Sequence, residues 1–405
     1  MKISHRAVSI QESPIRKLAP LATAARARGL TIFNLNIGQP DVPTPPEFLR
    51  AVAGFKDKVL AYGPSNGLPE LRQAMVDYFV RYKIALGPDD ILITNGGSEA
   101  ILFAFNVIAD QGEEIIIPEP FYTNYNGYAE MASLKIAPVR THAEDGFHLP
   151  PDGALAAVVG PRTRAVLVCS PNNPTGTVLS WEELERLAAF VRRHDLFLIA
   201  DEVYKEFTYD GRRHRSVLEL PGLEERVIVV DSISKRFSAC GARVGAVISR
   251  NRDVMAAALK FGQARLCPPT LEQLGAIAAY RLDESYFEGV RSEYQHRRDV
   301  MFEALTKAPG IVLKLPRGAF YMIVKMAGVA DSDDFARWLL AEHQLDGETV
   351  MVAPAGGFYA TPGAGADEVR IAYVLEVPKL ERALKTFLAG LEHYRALRLV
   401  AAPAS

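Results

Sequence analysis

Short runs of aliphatic and β-branched residues recur through the middle of the chain: Ile91–Thr94, Glu114–Ile117, Ala165–Cys169, Leu196–Ala200, Val227–Asp231 and Val244–Ser249. They are nearly continuous in Val, Ile and Leu rather than alternating, the pattern of strands buried on both faces. Amphipathic stretches separate them. One begins near Asn66 and sets Leu68, Leu71, Met75, Phe79 and Tyr82 on one stripe; another begins at Ser180, with Glu183 completing a capping box and Leu184, Leu187 and Val191 at helical spacing. Strands alternating with helices predict an α/β fold with a mainly parallel sheet. The C-terminal part differs. A long polar helix over 285–307 leads into strand-like Val312–Leu315 and Phe320–Lys325, then a helix over 332–342 and a strand over Glu368–Val374. This predicts a smaller α+β domain, and residues 401–405 read as a frayed tail.

Composition narrows the function classes. The 405 residues are 49% hydrophobic with a formal net charge of −2, so more than one domain is expected and nothing favours nucleic acid or an anionic membrane as partner. The densest basic run, Arg212-Arg213-His214-Arg215, follows a turn signal and reads as a solvated loop. Cys169, Cys240 and Cys267 lack metal-ligand or redox spacing, and no metal site is expected. With no apolar run of membrane-spanning length and no signal-peptide pattern, a cytoplasmic protein is expected.

Chemistry concentrates after the strands. Ser232-Ile-Ser-Lys235-Arg-Phe-Ser-Ala-Cys-Gly-Ala-Arg243-Val-Gly surrounds one lysine with small and polar residues and sets an arginine between alanine and valine eight positions on. A phosphate-bearing aldehyde needs such a set: an amine that loses its proton readily, hydroxyls and a guanidinium for the phosphate, and glycines for close backbone approach. Asp201-Glu-Val-Tyr204 ends another strand, where a buried carboxylate is costly unless it meets a cation. Ser170-Pro-Asn-Asn173-Pro-Thr-Gly and Thr94-Asn-Gly-Gly97-Ser98-Glu99 also follow strands, the latter opening a helix whose N–H groups can cradle a phosphate.

Together these segments resemble the class I aminotransferases, the fold-type-I pyridoxal-phosphate family typified by aspartate aminotransferase. The resemblance runs from Asn36 to Arg370 and implies a three-layer α/β large domain (50–285) with a mainly parallel mixed sheet, plus a smaller α+β domain formed by 1–49 and 286–405. It implies pyridoxal 5′-phosphate held by Lys235, with Asp201 on the pyridine nitrogen and Tyr204 on the ring hydroxyl. Asn173 is implied as a further ring contact. Gly97, Ser98, Glu99, Ser232, Ser234 and Arg243 surround the phosphate, Glu99 by its backbone. An aromatic stacks on the ring, with Tyr122 aligned and Phe121 the alternative. Tyr62 reaches the neighbouring subunit's phosphate, which implies a homodimer with shared sites. Arg370, with Asn173 and Gly38, grips the substrate α-carboxylate.

The implied reaction is ping-pong transamination between an L-amino acid and a 2-oxo acid. Aspartate as donor rests on Arg265 as a second cation, whereas Ile15, Phe33 and Phe358 favour aromatic or aliphatic donors. A β-lyase or synthase on the same fold, and a non-catalytic ligand sensor, are the competing classes; the sensor lacks room for a DNA-binding module ahead of Asn36.

Overall fold

The computed structural model describes the backbone of residues 1–401 and side chains to residue 398. Of the expected tail, Ala401 ends the last helix (Val377–Ala401) and 402–405 lie outside the described residues.

All six apolar runs form strands of one seven-stranded sheet. Its order is Ile91–Asn95, Val244–Ile248, Val227–Ser232, Phe197–Asp201, Thr163–Cys169, Glu114–Glu119, Lys135–Arg140. Only Val244–Ile248 runs against its neighbours; the rest of the pairing is parallel. The seventh strand, Lys135–Arg140, escapes sequence reading because it is an edge strand, exposed at both ends and carrying Pro138. Ile93, Val166, Leu198 and Val229 point into one apolar cluster, and Leu92, Ile115, Leu167 and Ile228 into another on the opposite face, so helices cover the sheet on both sides.

Helix positions follow the predicted stripes. Pro69–Val80 buries Leu71, Met75 and Phe79. Trp181–Arg193 starts from the reciprocal pair expected: Ser180 Oγ accepts from the Glu183 N–H, and the Glu183 carboxylate accepts from the Ser180 N–H.

The C-terminal region builds a four-stranded antiparallel sheet in the order Ala353–Pro354, Glu368–Ala372, Tyr321–Met326, Ile311–Val312. The expected strand over Val312–Leu315 shrinks to two residues, because the chain leaves the sheet edge after Val312. Thr31–Asn34 pairs parallel with Glu348–Met351, joining the N-terminal segment to this region. Among the described residues, no helix is long and apolar enough to cross a membrane.

The basic run 212–215 departs from its reading. Arg212, Arg213 and Arg215 are exposed, but His214 is 2% exposed and its Nε2 lies 3.1 Å from Glu202. Periodicity cannot reveal this, because the partner carboxylate sits at a strand end twelve positions away in sequence.

Candidate active site

The C-terminal ends of the parallel strands converge on a cavity of about 530 Å³. A loop follows each strand there, so side chains from distant segments meet at one edge of the sheet. Gly97, Ser98, Tyr122, Asn173, Asp201, Tyr204, Ser232, Ser234 and Lys235 reach the cavity from those ends, and Arg243 from the loop before the antiparallel strand. Gly38 and Arg370 come from the N-terminal segment and the small sheet.

Lys235 sits in the single turn Ile233–Arg236, which Ser232 caps by accepting from the Ser234 N–H. Its Nζ donates to the Gly38 carbonyl at 2.8 Å and lies 3.8 Å from Cys240 Sγ. Beside it, Ser232 Oγ and Ser234 Oγ are 2.8 Å apart.

Asp201 closes its strand fully buried. Burial raises its pKa to about 6, although donation from Tyr125 Oη (2.7 Å) and the Val203 N–H (3.2 Å) opposes the rise. Tyr204 Oη meets Tyr321 Oη at 2.8 Å, and Asn173 Nδ2 lies 3.5 Å from Tyr204 Oη. Burial pushes the Tyr204 phenol well above its ordinary range, so it stays protonated.

Arg370 is 1% exposed and has no acidic partner among the described residues. Its Nη1 donates to Asn173 Oδ1 at 3.0 Å, its Nη2 donates to the Asn36 carbonyl, and its Nε has no partner. The rings of Tyr321 and Phe358 lie 4.5 and 5.0 Å from the guanidinium carbon. Burial lowers its pKa. A buried cation held by neutral oxygens and aromatic faces lacks a counter-charge, and a carboxylate entering the cavity supplies one.

Two glycines are required by close approach. A Cβ on Gly38 would stand 1.7 Å from Tyr321 Oη. Gly96, at φ +75°, starts the helix Gly96–Ile108, and a Cβ there would fall 2.4 Å from Arg243 Nη2. The Arg243 guanidinium therefore lies against the positive end of that helix, where first-turn N–H groups are free to bind an anion.

The structure places five further expectations within the chain, and Glu99, Arg265, Phe33 and Phe358 fall outside the cavity lining. Glu99 turns its carboxylate onto the Asn95 N–H at 2.8 Å and does not line the cavity. Arg265 is tied inward to the Ser65 and Ile93 carbonyls at 3.1 and 3.2 Å and lies 3.8 Å from Glu99, also away from the cavity. Phe33 is buried in the core of the small region and Phe358 lies beneath Arg370, so of the three hydrophobic candidates only Ile15 lines the cavity. Tyr122 faces the cavity, whereas Phe121 is buried behind it. Tyr62 stands 81% exposed, outside its own chain's cavity.

Sequence reading missed Tyr125 and Tyr321, which hold Asp201 and Tyr204, and Arg16 at the rim. Tyr125 carries a weak signal, lying three residues after the Pro120-Phe121-Tyr122 segment; Tyr321 carries none, since its neighbours read as ordinary strand.

Comparison with known proteins gives a consistent result. The family described as aminotransferase class I and II matches residues 31–387. An aspartate aminotransferase of Bacillus subtilis is 30% identical over 395 residues, covering 95% of this chain and 98% of the relative. Aromatic-amino-acid aminotransferase 2 of Thermococcus litoralis is 34% identical over 392 residues, covering 95% and 97%. The solved alanine aminotransferase of Pyrococcus furiosus superposes with a TM-score of 0.89 at 29% identity, covering 97% of this chain and 100% of that one.

Proposed function

The chain belongs to the class I and II aminotransferases, and from that premise we propose that it carries pyridoxal 5′-phosphate on Lys235 and moves an amino group from an L-amino acid to 2-oxoglutarate by a ping-pong cycle. Aspartate is the first donor to try. The observation that carries the reading is one cavity lined by Lys235, Asp201, Arg243 and Arg370 together.

The donor set fits that cofactor. Asp201, buried and raised to about 6, gains a counter-ion from a protonated pyridine nitrogen. The hydroxyl pair of Ser232 and Ser234, the N–H groups at Gly97 and Ser98 and the Arg243 guanidinium suit a phosphate dianion. Tyr122 supplies an aromatic wall, and Tyr204 and Asn173 supply polar contacts at the ring edge. When bound, the cofactor's protonated ring acts as an electron sink for the charge left when the substrate α-carbon loses its proton.

The chain's own residues do the rest. Arg370 grips the α-carboxylate and fixes which α-carbon bond faces Lys235. Lys235 Nζ, as the free amine, accepts the α-proton; the Gly38 carbonyl at 2.8 Å holds that amine at the cavity wall between transfers. Tyr204, kept protonated by burial, donates without exchanging its proton.

We take residues 50–285 as the large domain and 1–49 with 286–405 as the small one. Apolar clusters drawn from residues 48–287 and from the N- and C-terminal regions support that division, and the second cluster also draws in Val203, Tyr204 and Phe207 beside the site. A cytoplasmic homodimer is part of the proposal: Cys169, Cys240 and Cys267 are all free thiols, and Tyr62 is exposed and does not line its own cavity.

Absorbance tests the reading. Purified wild type should show an aldehyde-derived yellow band that bleaches with L-aspartate and returns with 2-oxoglutarate, and Lys235→Ala should lack the band. A wild type without the band after added pyridoxal phosphate overturns the assignment of Lys235. A band that persists with aspartate but bleaches with another amino acid replaces the donor alone, and continuous turnover without an oxo acid indicates a lyase.

A further inference from the structure

Tyr321 lines the cavity, yet the reading above gives it no task. Its place is set by the small sheet. Tyr321 pairs with Ala372 and Ile323 with Arg370, so Tyr321 and Arg370 lie diagonally on neighbouring strands and on one face. The Tyr321 ring accordingly stands 4.5 Å from the Arg370 guanidinium carbon. The side chain is 1% exposed and packs edge-on against Tyr204, with ring centres 5.6 Å apart and planes at 80°. Its hydroxyl reaches the backbone of Gly38, where a Cβ would stand 1.7 Å from Oη, and the carbonyl of that glycine accepts from Lys235 Nζ.

The direction of one hydrogen bond follows from counting donors. Among the described residues the partner of Tyr321 Oη is Tyr204 Oη, at 2.8 Å. Tyr204 Oη has one hydrogen to give and two lone pairs to offer. Asn173 Nδ2, 3.5 Å away, can only donate to it, and Arg370 holds the other end of that amide by donating to Oδ1 at 3.0 Å. If Tyr204 gave its hydrogen to Tyr321, none would remain for the cofactor's ring oxygen. If Tyr321 donates instead, Tyr204 accepts from both neighbours and its own O–H is left for the cavity. Burial keeps that hydrogen on Tyr204.

We propose that Tyr321 is a positioning residue: it donates to Tyr204 and so commits the Tyr204 hydrogen to the cofactor's ring oxygen. The proposal rests on the transaminase reading and deepens it. A phenol that accepts a hydrogen bond becomes a stronger donor, so the relay strengthens the contact from Tyr204. A ring oxygen held in this way is less basic, and the proton it shares with the Lys235 nitrogen leaves at lower pH.

The test is a pH titration of the yellow band without substrate. Wild type, Tyr321→Phe, Tyr204→Phe and the double variant are compared, each loaded with cofactor. Phenylalanine keeps the ring against Arg370 and removes only the hydroxyl. The other titratable groups beside the pair, Lys235, Arg370, Tyr122 and Cys169, are the same in all four proteins. Tyr204→Phe should raise the midpoint by about 1–2 pH units, the loss of one hydrogen bond to a charged oxygen. Tyr321→Phe should raise it by a fraction of that, about 0.2–0.6 of a unit. In the Tyr204→Phe background it should add nothing, because it acts through that residue. A Tyr321→Phe midpoint less than about 0.2 of a unit above wild type overturns the proposal, since even weak cooperativity moves it that far. So does an equal shift in both backgrounds, which would mean that Tyr321 acts without Tyr204. A wild type with no yellow band after added pyridoxal phosphate overturns the transaminase reading instead, an outcome distinct from an unmoved midpoint.

Discussion

Asp201 sits where burial opposes its charge, at a pKa of about 6 despite donation from Tyr125 and the Val203 N–H, and a cation in the cavity relieves the remaining penalty. The sign of the resulting pH dependence follows. Above about 6 the carboxylate is ionised and attracts a protonated ring; below it the group is neutral and that attraction is lost. Affinity for pyridoxal phosphate should therefore fall as pH drops from 7 to 5. Titrating cofactor into wild type and Asp201→Asn isolates the effect, since the ligand's own phosphate ionisation is common to both: the affinity difference should shrink towards pH 5, and a constant difference would refute the linkage. Arg370 gives a second expectation at this scale. Lysine cannot replace the two-point grip of a guanidinium already bonded to Asn173 and Asn36. Steady-state assays of Arg370→Lys should give kcat/KM lower by about 100-fold or more, the loss expected when a charged, bidentate contact goes.

Among the elements, the strand Val227–Ser232 and the turn that carries Lys235 are pinned by a buried charge cluster. Asp231 accepts from Lys205 Nζ at 3.0 Å and from Arg236, and all three side chains are at most 1% exposed. Burial alone would raise Asp231, but Arg236 and then Lys205 outweigh it and hold it ionised, while burial lowers Lys205 to about 8. Lys205 also lies 3.8 Å from the Phe79 ring centre. Asp231→Ala leaves two buried cations unpaired, and denaturant titration should find the fold weaker by about 3–5 kcal/mol. The capping box is cheaper: Ser180→Ala should cost about 1 kcal/mol in the same measurement, with activity retained. The second effect was legible from Ser180 and Glu183 alone, because a cap is local. The first was not, because Lys205 comes from a different segment than Asp231 and Arg236, and no local pattern records that it meets them.

For the whole molecule, each chain presents an exposed stretch, Val59, Leu60 and Tyr62, that does not line its own cavity. If Tyr62 serves the partner's phosphate, light scattering should give the mass of a dimer. Tyr62→Ala should then weaken cofactor binding by about tenfold, the worth of one hydrogen bond to a charged group, although the side chain is remote from its own Lys235. A monomeric mass with full cofactor affinity would contradict the shared site.

The sequence by itself determined the parallel sheet and the lysine, aspartate, asparagine and arginine segments that follow its strands. Those signals are local: a strand buried on both faces must be apolar throughout, and a loop that meets a phosphate needs glycine, hydroxyl and cation close together in the chain. Only the tertiary structure decided which side chains share the cavity. It turned Glu99 onto Asn95, drew Arg265 inward, set Tyr125 and Tyr321 against Asp201 and Tyr204, and brought Arg16 to the rim. Each of those outcomes depends on contacts between residues far apart in sequence, and no periodicity or short motif records which distant partner a side chain will meet.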